Sequence, residues 1–137
     1  MANAEMQRTK PRPLSPHLQI YSPLINMVMS IVHRITGAAL YFGTLLLAWW
    51  LIAAATGPDQ FSYVSGVMGS VIGLLVLFGY TWALLHHMLG GIRHFIWDTG
   101  HGFNLNTVNL LSWGTIALSA GLTVVVWIVG LSLKGGV

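Results

Sequence analysis

Between His86 and Asp98 the chain sets three histidines, an arginine and an aspartate (His86, His87, Arg93, His94, Asp98) at the end of a long apolar run. Only 7% of all residues are charged, so this concentration of polar groups calls for a chemical reason. Ser30, His33 and Arg34 form a second such cluster, also inside an apolar run. Imidazole binds haem iron, copper or zinc. Copper or zinc would need three or four donors at one depth, and no carboxylate falls at the right depth. Haem needs one axial imidazole on each face, with polar or cationic groups for its propionates. His87 is the candidate axial ligand, and His33, Arg34, Arg93 and His94 are candidates for the polar edge. Gly91, one turn after His87, leaves room for a flat group to approach the backbone. His86 points about 100° away from His87 on a helix and cannot serve the same site. The opposite axial bond could come from His33 or from another chain.

These residues lie in elements that must cross a bilayer. Of 137 residues, 55% are hydrophobic, and six Lys/Arg with three Asp/Glu leave mean hydropathy at +0.72. A soluble domain carries roughly a quarter charged residues. The pI near 9.7 rests on few basic groups with no basic, aromatic-interleaved patch, so no nucleic-acid partner is expected. The chain has no cysteine, which excludes a disulfide framework, an iron–sulfur cluster or a thiolate zinc site on it.

The expected fold is all-α, with three transmembrane helices at about 24–55, 63–97 and 110–133, each long enough for a hydrocarbon core of roughly 30 Å. Residues 1–22 form a polar segment punctuated by Pro11, Pro13 and Pro16, and 23–137 form the anchor domain. That segment is no secretory signal, and Leu14, Leu18, Ile20 and Tyr21 give it something to dock with. Ser22-Pro23 reads as a helix start, with Ser as N-cap and Pro at the first helical position. A polar loop is expected from Asp98 through Asn109. Arg8, Lys10 and Arg12 precede the first helix, Arg93 sits by the second loop, and Lys134 is the lone basic group opposite. The positive-inside rule therefore puts the N-terminus inside. In this topology His33 and His87 come to the same depth.

Two periodicities refine the picture. Asn26, Ser30, His33 and Gly37 recur at four, three and four residues, one face of a helix, with Arg34 bordering it. An arginine within a span costs about 2.5–3.5 kcal/mol, so it needs a partner, a cavity or a route to the interface. Gly66, Gly73, Tyr80, His87 and His94 recur at sevens, with Ser70, Leu77, Leu84 and Gly91 four residues after the first four. This predicts one seam, small in its outer half for close helix packing and polar in its inner half.

Three blocks match a known family: Arg12-Pro13-Leu14-Ser15-Pro16-His17-Leu18, Ser30-Ile31-Val32-His33-Arg34-Ile35-Thr36-Gly37, and His87 through Asp98. With the length and the three helices, they resemble the larger membrane-anchor subunits of succinate dehydrogenase, the cytochrome b556 family, in its alphaproteobacterial and mitochondrial branch. The resemblance implies a heteromeric helix bundle around haem b, with His87 as one axial ligand and the second histidine from the smaller anchor subunit. It implies that Ser30 and Arg34 line a ubiquinone site, that His33 lies near the propionates, and that the N-terminal segment lies against an iron–sulfur subunit. Succinate oxidation would belong to the flavoprotein and iron–sulfur subunits. The bacterial inner membrane is the expected location, with the mitochondrial inner membrane as the alternative. Rival readings are a haem-free anchor, a channel using Arg34 and His87, and a serine hydrolase. The absence of an inverted repeat and of a nucleophile turn argues against the last two.

Overall fold

A computed structural model describes residues 21–135, so the basic N-terminal segment and its docking lie outside the described residues. Four helices follow in order: α1 (Ile25–Thr56), α2 (Pro58–Gly69), α3 (Val71–Asp98) and α4 (Leu105–Gly135). Three of them, α1, α3 and α4, are long and apolar enough to cross a membrane. They form a bundle in which each touches the other two, while α2 folds back on α1 and α3. At about 1.5 Å per residue the 32 residues of α1 reach roughly 48 Å, so the helix extends beyond the hydrocarbon core or crosses it at a tilt.

Helix boundaries differ from expectation at three places, each for a local reason. The first helix begins at Ile25 after Leu24, with no side-chain cap, so Ser22-Pro23 stays outside it. The second run is not continuous. It starts at Pro58, directly after Gly57 at φ 148°, and breaks at Ser70, which is extended (φ −65°, ψ 161°). Ser70 Oγ accepts from Gly73 N–H at 3.1 Å and so caps α3, while donating to the Val67 carbonyl at 2.7 Å. A Cβ on Gly73 would collide with the Val67 and Met68 carbonyls, so this glycine admits the end of α2 rather than a neighbouring helix. Gly66 and Gly69 face open space. The outer half of the predicted seven-residue seam is therefore a helix break, not a packing surface. Finally, α4 starts at Leu105 rather than near 110, because the Asn104 side chain accepts from Thr107 N–H at 2.8 Å.

The interior is polar and the exterior apolar. Met29, Ala53, Val64 and Ala83 are the buried hydrophobic residues, against Thr36, His86, Arg93, Ser112, Thr115, Ser119 and Thr123 among the polar ones. On α4 the four hydroxyl residues recur at three, four and four positions, one face of the helix. Each donates to a carbonyl three or four residues earlier on its own helix, which satisfies the hydroxyl and keeps the face small. Trp49, Trp50, Phe61 and Tyr63 are exposed at the end where α1 turns into α2, and Phe103 and Trp113 are exposed near the α3–α4 turn.

Candidate haem-edge and quinone site

Consecutive positions His86 and His87 sit on different faces of α3, as their 100° separation requires. His87 faces α1. Its ring stacks on His33 with centroids 3.9 Å apart and planes within 5°, so two clusters far apart in sequence meet at one depth. His94 joins them at 5.2 Å from His33, tilted by 56°. The surface of α3 turned to α1 thus holds Tyr80, Ala83, His87, Gly90 and His94. Leu84, expected on the seam, is exposed.

Glycines make this contact possible. A Cβ on Gly90 would come within 2.5 Å of His33 Nδ1, and one on Gly37 within 2.9 Å of His87 Cε1. Gly43 is filled in the same way by the Tyr80 ring. Gly91, the glycine singled out for clearance, has nothing within 4 Å of its would-be Cβ, so the space beside it is open. Gly90 and Gly43 were not anticipated as close-approach positions. Their seven-residue offsets, Gly90 from Ala83 and Gly43 from Thr36, were the available signal.

The His87 imidazole is oriented from α1. Its Nδ1 lies 3.1 Å from the His33 carbonyl and 3.3 Å from Thr36 Oγ1. Thr36, 2% exposed, donates its own hydroxyl to the carbonyls of Val32 and His33, so its lone pairs are available to an Nδ1–H. That arrangement places the proton on Nδ1 and leaves Nε2, which has no hydrogen-bond partner among the described residues, as the basic nitrogen. A carbonyl-anchored Nδ1–H is the usual outer-shell support of a ligating histidine. The His33 ring lies parallel to the His87 ring and beside it. Its Nδ1 is buried without a partner. Among the described residues no three His, Cys, Asp or Glu side chains converge on one point.

The other anticipated residues divide. Ser30 and Arg34, four apart on α1, are both exposed and turned outward from the histidine cluster, so the polar stripe of α1 splits between two surfaces. Arg93 is 3% exposed and faces α4, where Nη1 donates to Ser112 Oγ at 3.3 Å and the guanidinium lies 5.0 Å from the Trp97 ring centre. His86, 1% exposed, likewise faces α4, with Nδ1 3.2 Å from Ser119 Oγ.

The chain matches the family model described as succinate dehydrogenase/fumarate reductase transmembrane subunit over residues 8–126. Among curated proteins, the succinate dehydrogenase cytochrome b556 subunit of Paracoccus denitrificans is 43% identical over 118 residues, covering 86% of this chain and 91% of the relative. The protein of the same name in Rickettsia prowazekii (strain Madrid E) is 40% identical, covering 85% and 91%. The mitochondrial cytochrome b560 subunit of Sus scrofa is 39% identical, covering 69% of this chain and 57% of the relative. With three membrane-length helices, the two histidine-bearing blocks meeting at one depth, and this match over most of its length, the chain belongs to the succinate dehydrogenase/fumarate reductase transmembrane subunit family.

Proposed function

We propose that this chain is the haem b-binding membrane anchor of a succinate:quinone oxidoreductase (respiratory complex II), set in the bacterial cytoplasmic membrane with its N-terminus inside. The observation that carries the reading is the His87 ring: Nδ1 tied to the His33 carbonyl, Nε2 free, and open space beside Gly91. These residues fit one axial half of a haem site. The second axial histidine comes from the small anchor subunit. His33 and His94 would meet the propionates, a reading supported by their closeness to one another and to His87, and Arg93 would add its charge from within the α3–α4 seam. When bound, haem b supplies a one-electron store whose potential follows its axial ligands and burial.

Ser30 and Arg34 serve ubiquinone. The Ser30 hydroxyl donates to a quinone carbonyl oxygen, and the Arg34 guanidinium favours negative charge on that oxygen in a low-dielectric setting. Both are exposed, so the quinone head group binds at the border between this chain and its partners. Succinate oxidation belongs to the flavoprotein and iron–sulfur subunits, the latter docking at the inner face.

The test is substitution in the assembled complex. His87→Ala removes the reduced b-type absorption band. Arg34→Ala and Ser30→Ala keep that band but lower quinone reductase activity, for Arg34 by about 10- to 100-fold, the equivalent of the roughly 1.5–3 kcal/mol of a hydrogen bond to a charged group. Loss of the band on His86→Ala with retention on His87→Ala would overturn the assignment.

A further inference from the structure

His86 has no part in the site above, yet its ring is among the most deeply buried side chains of the bundle, 1% exposed. A polar ring inside a membrane-spanning helix is unfavourable unless it is bonded. Its Nδ1 is bonded, to Ser119 on α4 at 3.2 Å, while its Nε2 is buried without a partner. Seven residues further along α3, Arg93 Nη1 donates to Ser112 at 3.3 Å. Ser112 and Ser119 are also seven apart and both 0% exposed, in the reverse order because α3 and α4 run antiparallel. The two bonds therefore keep one register and stand about 10.5 Å apart along α3. A single bond would act as a pivot. Two bonds separated by nearly two turns fix both the rotation of α3 about its axis and its position along α4.

Each clamping residue is followed in sequence by a residue of the opposite site. His87 follows His86, and His94 follows Arg93. Because successive residues differ by about 100°, holding 86 and 93 against α4 turns 87 and 94 towards α1. The lever is sensitive. With Nε2 some 7 Å from the helix axis, a 10° rotation displaces it by about 1 Å, beyond the roughly 0.5 Å tolerance of a working site.

We propose that His86 and Ser119 are positioning residues: the polar clamp between α3 and α4 sets the azimuth of α3 and so aims Nε2 of His87. The proposal rests on His87 being an axial haem ligand. It gives a reason for a hydrogen-bonded histidine where an apolar side chain would pack at lower desolvation cost, since a directional bond adds rotational and register specificity to the apolar packing.

The experiment uses the assembled complex in detergent, with His87→Ala as the reference and three variants: His86→Leu, His86→Asn and Ser119→Ala. Asn places an amide nitrogen where Nδ1 stands, so it keeps the bond to Ser119. The readouts are the g values of the oxidised low-spin haem, which follow the relative orientation of the axial ring planes, and haem affinity in reconstitution. His86→Leu and Ser119→Ala should shift the g values in the same direction and weaken haem binding by about tenfold, the low end for outer-shell partners. The double variant should be no worse than either single one, and His86→Asn should retain the wild-type spectrum. Should His86→Leu fail to assemble, Ser119→Ala, which removes a single oxygen, carries the test. Wild-type g values and affinity in Ser119→Ala, or an Asn variant that behaves like Leu, overturn the proposal while His87→Ala still loses haem. Haem retained in His87→Ala overturns the ligand assignment itself.

Discussion

One helix, α3, carries two seams of opposite character. Towards α1 the contact is made by stacked, partly exposed rings and by glycines, and the nitrogens there are left free: Nε2 of His87 and Nδ1 of His33. Towards α4 the contact is made by fully buried hydroxyls, each bonded to its own helix and two of them also to α3. The first seam is held by ring stacking and close glycines; the second is tied by its hydroxyls to one nitrogen each of His86 and Arg93, whose Nε2 and Nε stay buried without partners. Polar residues inside a bilayer are thus not all functional in the same sense.

The sharpest way to break that contrast is at neighbouring glycines. Gly90→Val should push His33 off His87 and abolish haem incorporation, whereas Gly91→Val leaves the α1–α3 contact intact and should only disturb the haem spectrum. Haem content per assembled complex and the thermal midpoint separate the two. Next in size, Gly43→Ala drives a methyl into the Tyr80 ring and should destabilise the bundle by about 1–3 kcal/mol, as overpacking does, without shifting the haem bands. On the other seam, Ser112→Ala should cost about 0.6 kcal/mol, the average for an interhelical hydrogen bond in a membrane, read as a modest fall in thermal stability, and as the loss of one clamp bond it should shift the haem g values in the same direction as Ser119→Ala. The smallest effect is expected from Thr36→Val. The His33 carbonyl still holds Nδ1, so the haem is retained and only its potential and g values move slightly. Complete haem loss in Thr36→Val would show that the hydroxyl, not the carbonyl, orients the ring.

Much of this arrangement was legible from residue spacing. The number of membrane-length helices, the separation of His86 from His87, and the meeting of His33 with His87 follow from hydropathy, helical rise and topology. The break at Ser70 did not follow, since a seven-residue repeat of small residues reads equally as a seam or as a weak helix. What decides is that Ser70 can bond Gly73 and Val67 locally, with Gly73 admitting the carbonyls of α2. The start of α4 was placed late because Leu105–Asn109 is polar, although Asn104 caps the helix before it. The α4 hydroxyl stripe was readable at spacings of three and four. Its meaning was not, because serines and threonines within an apolar run mark a close contact only once the facing helix is known. The contact of the Arg93 guanidinium with Ser112 on α4 is less legible, because it shows only once the facing helix is known.

The self-bonded hydroxyls of α4 bear on how the chain is made. A helix whose polar side chains are already satisfied by its own carbonyls enters lipid without waiting for a neighbour, and α4 is also the most apolar of the three spans by mean hydropathy. The third helix is the least apolar and carries His86 and Arg93, whose partners are on α4. During synthesis α3 emerges first, with its polar groups unmatched until α4 follows through the short Thr99–Asn104 connection. The late helix is then not merely a third anchor: it brings the hydroxyl partners that His86 and Arg93 lack within their own helix.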